Sequence, residues 1–184
     1  MWRSIFYLST VLLMTLVSCK KDKNTCVPYI HQIDETQLVA DLAVLDQYLA
    51  DSGIVAIQHE SGLRYVIHAE GTGSVVQSCD IVSANYAGYL LNGNCFDTNI
   101  EAVAKDEGIF DVNRTYGPFN FPVEQGWVIP GWDIGFLQLK PGAKATLYIP
   151  GALGYGKAGT PSGEIPPNAS LIFDVEVIGI LIID

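Results

Sequence analysis

Apolar and polar residues alternate with a period of two through much of the chain from Gly62 onward. Leu63, Tyr65 and Ile67 fall on one side and Arg64 and His68 on the other, which predicts a strand. Asp80 to Leu91 repeats the pattern with Val82, Ala84, Tyr86 and Leu90 on one side. Asn92-Gly93 then offers the two positive-φ positions of a type I′ hairpin turn, so the chain should return through Cys95, Phe96 and Asp97. Ala145, Leu147 and Ile149 alternate after Pro141-Gly142, an order that suits a type II turn. In the last strand, Leu171 to Ile180, Phe173, Val175 and Val177 point inward while Asp174 and Glu176 point outward. The pattern predicts an antiparallel sheet with one polar face.

Two stretches carry helical spacing instead. Leu38, Leu42, Leu45 and Leu49 form one apolar stripe, Asp34 can cap the amide three residues on while Gln37 reaches back, and Gly53 can end the helix. So short a stripe favours packing on its own domain, or stiffening a tether, over dimerisation. Within the second half only Trp132 to Leu139 fits a two-turn helix, with Trp132, Phe136 and Leu139 toward the sheet. The class predicted is α+β.

The first 18 residues carry one charge, Arg3, and an apolar run too short for a permanent span. This is the pattern of a secretory signal. It closes on Leu16-Val17-Ser18-Cys19, which resembles the lipobox of bacterial lipoproteins, where the cysteine is acylated and becomes the new first residue. A plain signal peptide or an uncleaved anchor is the alternative. Each buried CH₂ of a lipid chain contributes roughly 0.8 kcal/mol, so an acylated Cys19 would anchor the protein without spanning the bilayer. The organisation expected is a lipoprotein signal over 1–18, a tether over 19–33, the helix and a linker over 34–60, and one globular domain over 61–184. The location expected is the bacterial envelope, on the outer membrane facing the periplasm or at the cell surface.

The 184 residues, 49% apolar, suffice for one core of ordinary size. Twenty acidic against ten basic residues would repel a phosphate backbone, which argues against a nucleic-acid partner. His31, His59 and His68 show no ligand spacing, so neither a metal nor a cofactor is expected.

With Cys19 assigned to lipid, Cys26, Cys79 and Cys95 remain, and one must stay unpaired. A two-residue turn would set Leu90 opposite Cys95 and leave Cys79 on the order of 35 Å away along the strand. A disulfide tolerates a Cα separation of only about 4.4–6.8 Å. No Cys79–Cys95 bond is expected, and any bond should use Cys26.

Three stretches together resemble the FKBP family of peptidyl-prolyl cis/trans isomerases. They are Asn85-Tyr86-Ala87-Gly88-Tyr89 with Asn92-Gly93-Asn94-Cys95-Phe96-Asp97, then Val128-Ile129-Pro130-Gly131-Trp132, and then Gly154-Tyr155-Gly156 running into Ile165-Pro166-Pro167 and Leu171-Ile172-Phe173-Asp174-Val175-Glu176. The resemblance covers roughly Ser61 to Ile180. It implies an FKBP-like fold, a curved antiparallel sheet wrapped around one short helix, here with an added N-terminal helix and lipidated tether.

The resemblance also implies a pocket with Tyr86, Phe96, Phe119 and Phe173 as walls, Trp132 as floor, and Val128, Ile129 and Ile165 as rim. Asp97 and Tyr155 would be its polar groups. In the family the backbone N–H at the position of Ile129 and the hydroxyl at that of Tyr155 bind substrate carbonyls. Phe121 and Phe136 are read as plain core. The stretch Thr98 to Gly117 is longer than in the smallest family members and could form a flap or an extra packing element. The loop after Tyr155 carries Thr160 where the family often has His and Glu164 where it often has an apolar residue.

The function implied is isomerisation of proline-containing polypeptides, assisting the folding of exported proteins. The partners implied are such polypeptides, the membrane through its lipid, and macrolide inhibitors of the kind many family members bind. A monomer is expected. The alternatives are a chaperone or peptide-binding module on the same fold without turnover, and a structural envelope lipoprotein.

Overall fold

The computed structural model describes residues 26–181. The segment read as a signal, Cys19 and the first part of the tether lie outside the described residues. The first helix, α1 (Glu35–Asp51), is capped as expected: Asp34 accepts the Gln37 N–H at 3.0 Å. The Gln37 side chain does not reach back, however. It runs forward to Asp41 at 2.7 Å, because Asp41 is buried and needs donors; its other oxygen takes the Ala152 N–H at 2.7 Å. Gly53, at φ 65°, ends the helix.

Seven strands follow in one open antiparallel sheet: β1 (Ile57–Gln58), β2 (Arg64–Ala69), β3 (Ile81–Leu90), β4 (Cys95–Thr98), β5 (Phe119–Pro122), β6 (Lys144–Ile149) and β7 (Leu171–Leu181). Their order is β1-β2-β6-β7-β3-β4, with β5 also pairing with β3. Between β4 and β5 lies α2 (Glu101–Asp106), and between β5 and β6 lies α3 (Pro130–Phe136). The long central pair of β3 and β7 runs from Ile81↔Leu181 to Leu90↔Leu171. Its inward residues Val82, Phe173, Val175 and Val177 pack with Phe121, Phe136 and Leu147 in the main core, and Phe121 and Phe136 are fully buried, as plain core residues should be.

Helix α2 is not foreseen by the spacing, which offers only Trp132 to Leu139 as a helix in this part of the chain. Three further expectations change. The hairpin between β3 and β4 is not a type I′ turn: Gly93 N–H donates to Leu90 O and Leu90 N–H to Asn94 O, so the loop has three residues and Tyr89, not Leu90, pairs with Cys95. Only Gly93 takes positive φ (87°), the mark of a type I turn closed by a glycine bulge, while the Asn92 side chain accepts the Asn94 N–H at 3.0 Å. Helix α3 begins at Pro130, before the expected Trp132, because proline fits the first helical position with its fixed φ and missing N–H. It ends at Phe136, leaving Leu139 buried in the turn that follows.

The outer face of the sheet, thirdly, is not simply polar. Leu45 and Leu49 of α1 cover Tyr148, with Val66 and Ile172 alongside. Arg64, expected at the surface, is therefore buried: its guanidinium holds Asp46 of α1 through two bonds, at 2.9 and 3.1 Å, and donates to Gly62 O at 3.0 Å. The type II turn stands as predicted, with Ala143 N–H donating to Lys140 O at 2.9 Å and Gly142 at φ 80°. Cys26 is bonded to Cys79, with their Cα atoms 6.2 Å apart, and Cys95 has no disulfide partner among the described residues. The expectation for the cysteines holds, although the register used to argue it was one residue out.

Candidate active site

The concave side of the sheet meets α3 in a cavity of about 620 Å³. Each wall arises from a different element. β3 supplies Tyr86, the returning β4 supplies Phe96 and Asp97, β5 supplies Phe119, and β7 supplies Phe173. The segment entering α3 contributes Val128 and Ile129, the first turn of α3 contributes Trp132, and the loop between β6 and β7 contributes Tyr155 and Ile165. All ten residues expected at the site thus line one cavity.

Trp132 lies at the centre of the aromatic set. Its ring is 5.2 Å from Tyr86 and 5.2 Å from Phe173, both nearly edge to face, and Phe96 meets Phe173 at 5.5 Å in the same manner. Phe121 and Phe136 support Trp132 from behind at 5.3 and 5.2 Å. The Trp132 indole N–H is buried and has no acceptor among the described residues. Gly88 makes this packing feasible: a Cβ there would stand 2.6 Å from Phe96 and 2.7 Å from Phe173.

The polar side of the cavity is one linked group. Asp97 accepts the Tyr86 hydroxyl at 2.6 Å through one oxygen and the Arg114 guanidinium at 2.5 Å through the other, while Arg114 also reaches the Tyr86 oxygen at 3.3 Å. Burial, and then the Asp97 carboxylate, push the Tyr86 phenol well above its ordinary range. Burial works against the Arg114 charge, but the Asp97 pair more than offsets it, so its pKa is raised. Tyr155 is also raised, by burial first and by Asp97 second. Its hydroxyl and the Ile129 N–H have no hydrogen-bond partner among the described residues, so both donors are available to a ligand.

Arg114 escaped sequence reasoning, as did Ile109 and, at the mouth, Trp127; Thr160 and Glu164, noted above only as departures in the loop after Tyr155, also line the cavity. Arg114 comes from the long segment after β4, where no period marks it. The extra packing element expected there exists: α2 buries Ala104, and the loop beyond it carries Ile109 and Arg114 to the cavity. His31 lies elsewhere, 2.7 Å from Asp133 of α3.

A family model described as FKBP-type peptidyl-prolyl cis-trans isomerase matches residues 73–178. FK506-binding protein 1 of Candida glabrata is 44% identical over 120 residues, which cover 65% of this chain and 93% of that protein. The FKBP-type peptidyl-prolyl cis-trans isomerase FkpA of Aeromonas hydrophila is 39% identical over 121 residues, covering 66% of this chain and 39% of the relative. The chain spans less than half the length of several such curated relatives. The crystal structure of FkpA from Escherichia coli superposes with a TM-score of 0.59 at 32% identity, covering 79% of this chain and 62% of that one.

Proposed function

Since the chain belongs to the FKBP-type peptidyl-prolyl cis-trans isomerase family, we propose that it accelerates cis/trans isomerisation of X–Pro bonds in polypeptide substrates. The observation that carries this reading is the convergence of Tyr86, Phe96, Phe119, Trp132 and Phe173, with Asp97 and Tyr155, on one cavity.

Rotation about an X–Pro bond must cross a barrier of roughly 20 kcal/mol because amide resonance is lost on the way, and unaided it takes tens of seconds or longer. The twisted amide is less polar than the planar one. An aromatic cavity from which water is excluded therefore favours the twisted form over the planar ground state, and that difference is what accelerates the reaction. In this reading the proline ring lies on Trp132 among the aromatic walls. The Ile129 N–H and the Tyr155 hydroxyl hold the flanking carbonyls, so that one side of the bond is fixed while the other turns. Asp97, anchored by Tyr86 and Arg114, keeps the polar wall in place.

A proline-peptide assay on the protein tests the reading. Acceleration of cis-to-trans conversion, lost on changing the pocket residues, supports it; peptide binding without acceleration would favour a chaperone or binding module instead.

Assistance to the folding of exported proteins, and attachment to a bacterial envelope through a lipid on Cys19, belong to the same proposal and rest on the apolar leader and its Leu-Val-Ser-Cys close. Incorporation of a fatty-acid probe that disappears in Cys19→Ala supports the anchor, and labelling that persists in that variant refutes it. A monomer, and affinity of the same cavity for macrolides, complete the proposal.

A further inference from the structure

We infer that Glu164 and Trp127 make the mouth of the cavity selective for a cationic side chain, lysine or arginine, close to the proline of the bound polypeptide. The inference rests on the isomerase reading and adds to it a preference among substrates.

Three charged side chains line the cavity, Asp97, Arg114 and Glu164. Two of them cancel, because Arg114 is bonded to Asp97 at 2.5 Å and the second Asp97 oxygen is occupied by Tyr86. Glu164 is left over. Among the described residues no cation comes within ion-pair distance of it, and its hydrogen-bond partner is the Ser162 hydroxyl, at 3.0 Å. The mouth therefore keeps one uncompensated negative charge.

That charge is held in place by the fold of its loop. Thr160 and Ile165 close the loop through Thr160 N–H to Ile165 O at 2.9 Å and Ile165 N–H to the Thr160 hydroxyl at 3.0 Å. Gly163 N–H returns to Thr160 O at 2.9 Å, with Gly163 at φ 79°, as the tight turn requires. Ile165 is buried and anchors the loop, so the neighbouring Glu164 stays at the rim and exposed.

Trp127 lines the same cavity and is 71% exposed, a large apolar surface for a residue of this size to leave in water. An indole face attracts a guanidinium or ammonium group and covers the aliphatic stem that carries it. A lysine or arginine beside the proline can lay its stem on Trp127 and bring its charge toward Glu164. An acidic residue there meets a like charge. The overall charge of −10 also attracts cations, but everywhere on the molecule; the local charge is that of Glu164, beside the Trp127 face.

The test uses labelled proline peptides in which each of the two positions before and after the proline is in turn Lys, Leu or Glu. Dissociation constants come from anisotropy and kcat/KM from isomerisation. At one or more positions the Lys peptide should bind roughly two- to fivefold tighter than the Glu peptide, the scale of an exposed ion pair. High salt and Glu164→Gln should each bring that ratio close to one, and Trp127→Leu should reduce it. Equal ratios in the wild type and Glu164→Gln overturn the inference, whether or not any peptide is turned over. A Glu164-dependent binding ratio with no turnover supports it while refuting the isomerase reading. Failure of every peptide to bind overturns both.

Discussion

The Tyr86 hydroxyl donates to Asp97 at 2.6 Å, linking the two strands of the hairpin from within the cavity. Without Asp97 the Tyr86 hydroxyl and the Arg114 guanidinium both lose their acceptor. Hydrogen bonds to charged groups contribute about 1.5–3 kcal/mol, and only the part that differs between ground and transition state appears in the rate. Asp97→Leu should therefore lower kcat/KM by about tenfold in a protein that still melts cooperatively. Full turnover in that folded variant would remove Asp97 from the polar role assigned to it.

Tyr155 offers a cleaner contrast, since its hydroxyl bonds no group among the described residues. Tyr155→Phe should leave stability within about 0.5 kcal/mol of the wild type, as for a substitution that breaks nothing in the fold. If that hydroxyl holds a substrate carbonyl, kcat/KM should fall about fivefold, the value of one hydrogen bond of ~1 kcal/mol. Parallel melting curves and peptide kinetics decide the matter, and unchanged kinetics would take Tyr155 out of the mechanism.

The tyrosines also predict an alkaline limit. Burial, and then the charges of Cys95, Glu107 and Asp174, push Tyr89 up to about 12 from an ordinary value of 10.0. Between those values the unfolded chain has lost the proton that the folded protein keeps, so the folded state binds more protons and stability falls as pH rises. The contribution is complete below about 10 and gone above about 12. Urea unfolding across this interval should show the decline, with a shallower slope in Tyr89→Phe. An identical slope in the variant would show that Tyr89 is not its source.

How far the sequence could be read depended on what each residue answers to. Periodicity reports the face a side chain takes, so Val82, Phe173, Val175 and Val177 were placed on the inner face from alternation alone. It does not report what covers the other face, and Arg64 was misplaced because α1 packs over it. Register was lost by one residue at Asn92-Gly93, since both loops use those residues: the two-residue type I′ turn puts Asn92 and Gly93 at positive φ, and the three-residue loop Gly93 alone. The cavity residues were found through family positions rather than through any physical pattern. Arg114 and Trp127 follow no period, and only the folded chain brings them to the mouth.

The bond between Cys26 and Cys79 ties the N-terminal segment to the loop ahead of β3. With its ends 53 positions apart in the chain, the loop-entropy model gives about 4 kcal/mol of stabilisation. The covalent link does not act alone. Tyr29 N–H donates to Glu124 O at 2.7 Å, and His31 meets Asp133 at 2.7 Å, on the helix that carries Trp132. These contacts hold the same segment against the domain and leave less for the disulfide to contribute. Replacing both cysteines by serine should thus lower stability by about 2–4 kcal/mol, and the protein should still fold. A reductant should shift the wild type by the same amount and the double variant not at all. Peptide mapping without reductant should recover one linked fragment containing Cys26 and Cys79, with Cys95 open to alkylation once the protein is unfolded. A fragment linking Cys95 to either partner, or a reductant effect that persists in the double variant, would overturn the pairing.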